Sequence, residues 1–237
     1  MRLLAIWIPL ALSTALLAVA ALAPALYATW FEGEKGVIEI AQLLPPAAAL
    51  AVVTSMLRDH RTAGESGLRR WLAILAIVCV YILGEEISWG QHFLGWGTPD
   101  WLSEVNRQQE TNLHNTTTWL NEKPRALFEV AVIVGGILHP VLLLSRGRGI
   151  VERPWWLAPS VACLPSAILA ELWRLPERLF EREWVQSTIA SPEAAARVLE
   201  FVRYSEMQEL YFYYFILVYV LSIRRRLRTK PIRGAAA

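Results

Sequence analysis

Apolar positions in this chain come in long runs. Residues 3–28, 37–57, 71–92, 126–145, 155–173 and 201–223 are dominated by Ala, Leu, Ile, Val and aromatic side chains, with few charges between them. A bilayer core about 30 Å thick takes about 20 helical residues, so each run is long enough to cross it. The pattern predicts an all-α, polytopic membrane helical bundle of about six transmembrane helices. It forms a single domain over residues 1–230, followed by a tail at 231–237. Pro45 and Pro46 predict a kink or break in the second run, and Pro159 and Pro165 a bend in the fifth. The first run competes with a signal peptide, because Ala21-Leu22-Ala23 resembles a cleavage site. Its charged leader is only Arg2 and the run exceeds a usual h-region, so an uncleaved span is expected.

Polar positions divide unequally between the two sides. If the N-terminus is cytoplasmic, the inner segments hold fourteen Lys and Arg against three acidic residues. The other segments then hold nine basic and eighteen acidic residues. Basic residues set orientation, which places both termini in the cytoplasm and the acidic side outside a plasma (bacterial inner) membrane. The net charge of +2 adds nothing further, and no nucleic-acid partner is expected. Cys79 and Cys163 fall in separate apolar runs and read as packing residues.

The polar stretch from Gly84 to Asn115, GEEISWGQHFLGWGTPDWLSEVNRQQETNLHN, begins inside an apolar run and holds two of the four histidines. Residues 93–125 are too rich in Trp, Asn and Gln for a plain linker, and Trp96, Trp101 and Trp119 suit a segment lying at headgroup level. Counted at 1.5 Å per residue from the cytoplasmic edges, Glu85, Glu86, Glu129, Glu171, Glu206, Glu209 and Glu39 lie roughly 21–27 Å deep. Five spans thus bring a carboxylate to the outer third of the membrane. A charge there costs about 2.5–3.5 kcal/mol on insertion scales. The carboxylates are therefore expected to face one another, bind a cation or line a wet cavity.

Helical spacing places Glu85, Ser88, Trp89 and His92 on one face, with Glu86 turned away. Glu110 and His114 are four residues apart, and Glu206 and Glu209 three. Imidazole with several carboxylates suits zinc, or an iron or manganese centre. The candidate metal ligands are Glu85, His92, Glu110, His114 and Glu206, with Glu86 or Glu209 as general base for a metal-bound water. The competing reading is a buried hydrogen-bond network of the same groups with Gln91, Gln108, Gln109 and Asn112. His139 reads as a packed histidine beside Pro140, and His60 as a solvated one. Arg107, Arg174, Arg178, Arg182 and Arg203 are on the acidic side, placed to compensate glutamates or to hold an anionic head group.

The segment GEEISWGQHFLGW followed by NRQQETNLHN resembles a family of bacterial multi-pass membrane proteins with an E-E-I-S-W-G-Q stretch and a later N-x-Q-x-E-x-N-L-H-N. The resemblance covers about 30 residues; it implies where the site lies and leaves its chemistry open. Glu85, Ser88 and His92 are also similar to the Ser-x-x-x-His arrangement of ceramidase-type membrane metal hydrolases. The chain departs from that family in having no histidine after His139. The function expected from these readings is metal-dependent hydrolysis of a lipid or lipid-linked substrate at the outer leaflet. Oxidation at a carboxylate-bridged pair of metals is the second expectation. A non-catalytic transport or scaffold protein with a buried Glu/His network is the third.

Overall fold

The computed structural model describes residues 2–31, 36–106, 111–112, 118–188 and 191–229, without the side chains of 92–93, 118–124 and 186–188. All regular secondary structure among the described residues is helical, with no strand. In chain order, a π-helical turn (Leu3–Trp7) leads into α1 (Ile8–Leu22) and α2 (Pro24–Trp30). α3 (Val37–Arg58), α4 (His60–Ala63) and α5 (Ser66–Glu86) follow. After a 3-10 turn (Ser88–Gly90) come the short α6 (Gln91–Leu94) and α7 (Asp100–Ser103). α8 (Thr118–Ala131) continues through a π-helical segment (Val132–Leu138) into α9 (His139–Arg146). α10 (Leu164–Phe180), α11 (Glu183–Thr188), α12 (Pro192–Leu199) and α13 (Tyr204–Thr229) complete the chain.

Four helices are long and apolar enough to cross a membrane: Leu3–Leu22, Val37–Arg58, Ser66–Glu86 and Arg125–Arg146. Most of the apolar surface of these four is not covered by protein, as suits helices that face lipid. The chain is thus a helical membrane protein. α13 is different. It packs on α3 and α10, and most of its length is buried, including Tyr211, Phe212, Val218 and Val220. A helix wrapped by its neighbours can carry polar side chains, because they meet partners instead of lipid.

The prolines act in three ways. α3 runs unbroken through Pro45 and Pro46, both buried, so the break allowed by the sequence does not occur. The fifth apolar run is not bent but divided. Residues 155–163 form turns and a 3-10 segment, and the α-helix starts only at Leu164 with Pro165 in its first turn, where a missing N–H costs nothing. The irregular backbone before it is served from α13. Arg226 donates to the carbonyls of Trp155 (2.7 Å) and Ala158 (2.8 Å), and the Tyr219 hydroxyl to that of Trp156 (2.7 Å). Finally, both π-helical segments precede a proline, Pro9 and Pro140. Proline has no N–H and its ring crowds the carbonyl four residues back, so the ladder widens there. The Leu4 carbonyl, whose π-helical partner would be Pro9, instead accepts from the Tyr214 hydroxyl at 2.5 Å.

The histidines outside the polar stretch behave as expected. His139 is buried, its ring against Gly149, and its Nδ1 accepts from Val151 N–H. The His60 side chain is largely exposed beside Asp59. Both cysteines are buried and free.

Candidate functional site

α5 ends at Glu86, and its end defines the site. Ile87 leaves the helix, and Ser88, Trp89 and Gly90 take positive φ of 46°, 53° and 93°. Two consecutive non-glycine residues in the left-handed region cost of order 1–3 kcal/mol each and require neighbours that hold them. The helical register that would align Glu85, Ser88, Trp89 and His92 therefore stops at Glu86. The turn folds Trp89 back on its own helix. Its indole N–H donates to Glu85 Oε1 at 2.7 Å, and its ring lies against Gly84 where no side chain intervenes. Glu85 is 4% exposed.

The chain then returns to this turn. Thr111 N–H donates to Gln91 Oε1 (2.7 Å), the Thr111 hydroxyl donates to the same oxygen (2.8 Å), and Gln91 in turn donates to Thr98 (2.8 Å). The Asn112 amide donates to the Ser88 hydroxyl (3.2 Å), while Asn106 donates to both oxygens of Asn112 (2.8 Å each). Asn106, Asn112 and Ser88 are all buried. The polar stretch is a folded unit docked on the end of α5.

The second wall comes from α13. Glu86 Oε1 accepts from the Tyr213 hydroxyl at 2.7 Å, and Tyr213 is also within coulombic reach of Glu209 and Glu206. Around this point the carboxylates of four helices meet arginines. Arg203 bridges Glu39 on α3 (2.8 Å) and Glu206 on α13 (2.9 Å), and Gln42 donates to Glu206 (3.0 Å). Arg125 reaches Glu209 (3.3 Å) and donates to Gln208 Oε1 (2.7 Å). Arg178 pairs with Glu129 and with Glu171 (3.3 Å), and Arg174 with Glu177. Glu177 also accepts from the Ser205 N–H at 3.2 Å. These glutamates are between 15% and 27% exposed, so the pairs are half-desolvated. A half-desolvated carboxylate held by a guanidinium is far cheaper in a bilayer than a bare one.

Of the residues expected at the site, Glu85 and Glu86 lie at the end of α5, and Glu206 and Glu209 lie on the facing helix. Glu110, His114 and the side chain of His92 lie outside the described residues. Among the described residues, no three of His, Cys, Asp and Glu come close enough together to hold a metal ion. Arg174, Arg178 and Arg203 do meet glutamates. Arg125, Gln42 and Gln208 were not singled out by the sequence. Arg125 had a readable signal: it is the charge that opens the 126–145 apolar run, at the level of the carboxylates. The two glutamines had none, since a lone Gln in an apolar run reads like any tolerated polar residue.

Beyond the membrane-length helices, Ser191 caps α12 by accepting from Ala194 N–H. The backbone N–H of Glu193 and the Ser191 hydroxyl hold the Glu193 carboxyl below its usual range. Comparison with protein-family profiles, curated proteins and solved structures finds no match for the chain. Fold and site by themselves define a helical membrane protein with an arginine–carboxylate cluster at one end of its bundle and a docked polar turn beside it.

Proposed function

We propose that the chain crosses the bilayer six times with both termini cytoplasmic, and that the polar end of the bundle is a metal-dependent hydrolytic site. The site faces the extracytoplasmic side of a plasma (bacterial inner) membrane and acts on a lipid or lipid-linked substrate. Support for six spans comes from adding α10 and α13 to the four apolar helices. At 1.5 Å per residue the 26 residues of α13 reach about 39 Å.

The observation that carries the site is the docking of Thr111 and Asn112 on Gln91 and Ser88. In the chain, Glu110 precedes Thr111, His114 follows Asn112 by two residues, and His92 follows Gln91. Glu85, His92, Glu110 and His114 are therefore assigned as ligands of zinc, or of iron or manganese. A metal ion lowers the pKa of a bound water toward neutrality. Glu86, which accepts from the Tyr213 hydroxyl, would be placed to take a proton from such a water. Glu206 and Glu209 are engaged by Arg203, Gln42 and Arg125, so we assign them to positioning of the opposite wall.

The second reading is a non-catalytic scaffold whose polar layer joins the helices. The bridging of two helices apiece by Arg203 and Arg178 favours it. Elemental analysis of the purified full-length protein separates the two. The metal reading expects stoichiometric zinc, iron or manganese, lost in His92→Ala and in His114→Ala. Absence of stoichiometric metal from the wild type overturns it in favour of the network.

A further inference from the structure

The opposite end of the bundle carries a second polar site, one that the reading above does not use. Where α3 ends, the chain turns through Asp59 into the one-turn α4, and the end of α13 comes alongside. Between them is an open cavity of about 660 Å³ lined by Ser55, Arg58, Asp59, His60, Arg61 and Arg228. Three guanidinium groups from two separate parts of the chain thus share one concavity. We propose that this cavity binds the phosphate-bearing head group of an anionic lipid.

Four observations lead there. First, the Arg61 Nε is buried and has no hydrogen-bond partner among the described residues. A charged donor removed from water in this way costs free energy unless an acceptor meets it. Second, the cavity's one carboxylate is occupied elsewhere. Asp59 caps α4 by accepting from the Arg61 backbone N–H at 2.9 Å, and His60 is its described ion-pair neighbour at 3.5 Å. Against that one carboxylate stand three guanidinium groups, so the wall carries a net positive charge. Third, Arg58 is the last residue of a helix long and apolar enough to cross the membrane, so the cavity mouth lies at headgroup level whichever way the chain is oriented. Basic pockets at that level suit anionic lipid heads, and a guanidinium offers phosphate two parallel N–H groups. Fourth, Arg58 and Arg228 are exposed, so their guanidinium groups are open to a ligand from outside the chain.

Free phosphate has the same oxygen chemistry, and the test separates the two. Full-length protein in phosphatidylcholine nanodiscs is titrated with a fluorescent short-chain phosphatidylglycerol, with glycerol phosphate and inorganic phosphate as soluble competitors. Phosphatidylglycerol is expected to bind saturably in preference to a phosphatidylcholine probe, and millimolar soluble phosphates are expected not to displace it. Arg58→Gln and Arg228→Gln, at exposed positions where folding is not at risk, each weaken binding about tenfold, as does Arg61→Lys, which keeps the charge and loses the fork. Arg146→Gln, an exposed arginine at the end of α9, leaves binding unchanged. Equal binding by the three cavity variants and the wild type, or equal binding of the two lipids, overturns the proposal. Displacement by glycerol phosphate or phosphate overturns the lipid assignment.

Discussion

Gly84→Ala is a small change with a sign that depends on one other residue. A Cβ built at Gly84 meets three ring atoms of Trp89 at 2.9 Å. Carbon contacts are comfortable from about 3.5 Å, so each is about 0.6 Å too close. Overpacking of this kind costs about 1–3 kcal/mol. Relief requires the indole to move, which breaks its 2.7 Å bond to the buried Glu85; a hydrogen bond to a charged group is worth about 1.5–3 kcal/mol. Against this, Ala is favoured over Gly inside a helix by about 0.5–1 kcal/mol. Trp89 is 44% exposed, so it has room to yield, and the net cost is expected at about 1–3 kcal/mol. In a Trp89→Ala background the obstacle is gone and the same Gly84→Ala change stabilises by about 0.5–1 kcal/mol. The assay is a double-mutant cycle on equilibrium unfolding in detergent micelles, reading the coupling between the two positions. If Gly84→Ala has the same sign and size in both backgrounds, Trp89 does not pack on Gly84 and the geometry of the site's first wall is wrong.

Other outcomes test the rest of the cluster. Arg203→Met leaves Glu39 and Glu206 without their shared cation and should cost about 1–3 kcal/mol, a range discounted for partial exposure. Adding Glu39→Gln and Glu206→Gln to that variant should recover most of the unfolding midpoint. Tyr213→Phe removes the donor to Glu86 and should cost about 1–3 kcal/mol, while Tyr213→Phe with Glu86→Leu should cost less than the two single changes added together, as calorimetry in micelles can show. At Glu193 the sign follows from its lowered carboxyl. Its contribution to the start of α12 is complete above the ordinary carboxylate range and is lost as pH falls through the lowered value. The protection of the Ala194 amide against exchange, taken relative to its intrinsic rate, should therefore fall in acid, and Glu193→Gln should abolish that dependence.

The helical membrane character was legible because length and hydropathy are local quantities. The helix rise alone also gathers carboxylates at one level, and those on α3, α5, α8, α10 and α13 do lie at one end of the bundle. What failed was face counting across a helix end. Ser88 and Trp89 adopt left-handed backbone, and nothing in the type of either residue announces it, because the conformation is set by Trp89 finding Glu85 and a bare Gly84. The prolines also end up in different settings. Pro45 and Pro46 sit in a helix that continues, while Pro165 starts one after irregular backbone that α13 serves. Arg174–Glu177 and Arg203–Glu206 are only three residues apart, but the long-range pairings were beyond sequence, since Arg203 meets Glu39 from 164 positions away.

The bonds at the start of the chain set a schedule for its synthesis. The Ser13 hydroxyl meets the Tyr211 hydroxyl at 2.5 Å, Pro9 accepts from Tyr211 at 2.8 Å, and Leu4 accepts from Tyr214. These partners are separated by 198, 202 and 210 residues. A ribosome adds about 5–20 residues per second, so α1 is made about 10–40 s before α13 exists. Throughout that interval the widened first turn has a carbonyl, that of Leu4, that its own backbone does not satisfy, in a helix already apolar enough to enter the bilayer. An early helix is thus completed by one made much later, and until then the Leu4 carbonyl needs another donor.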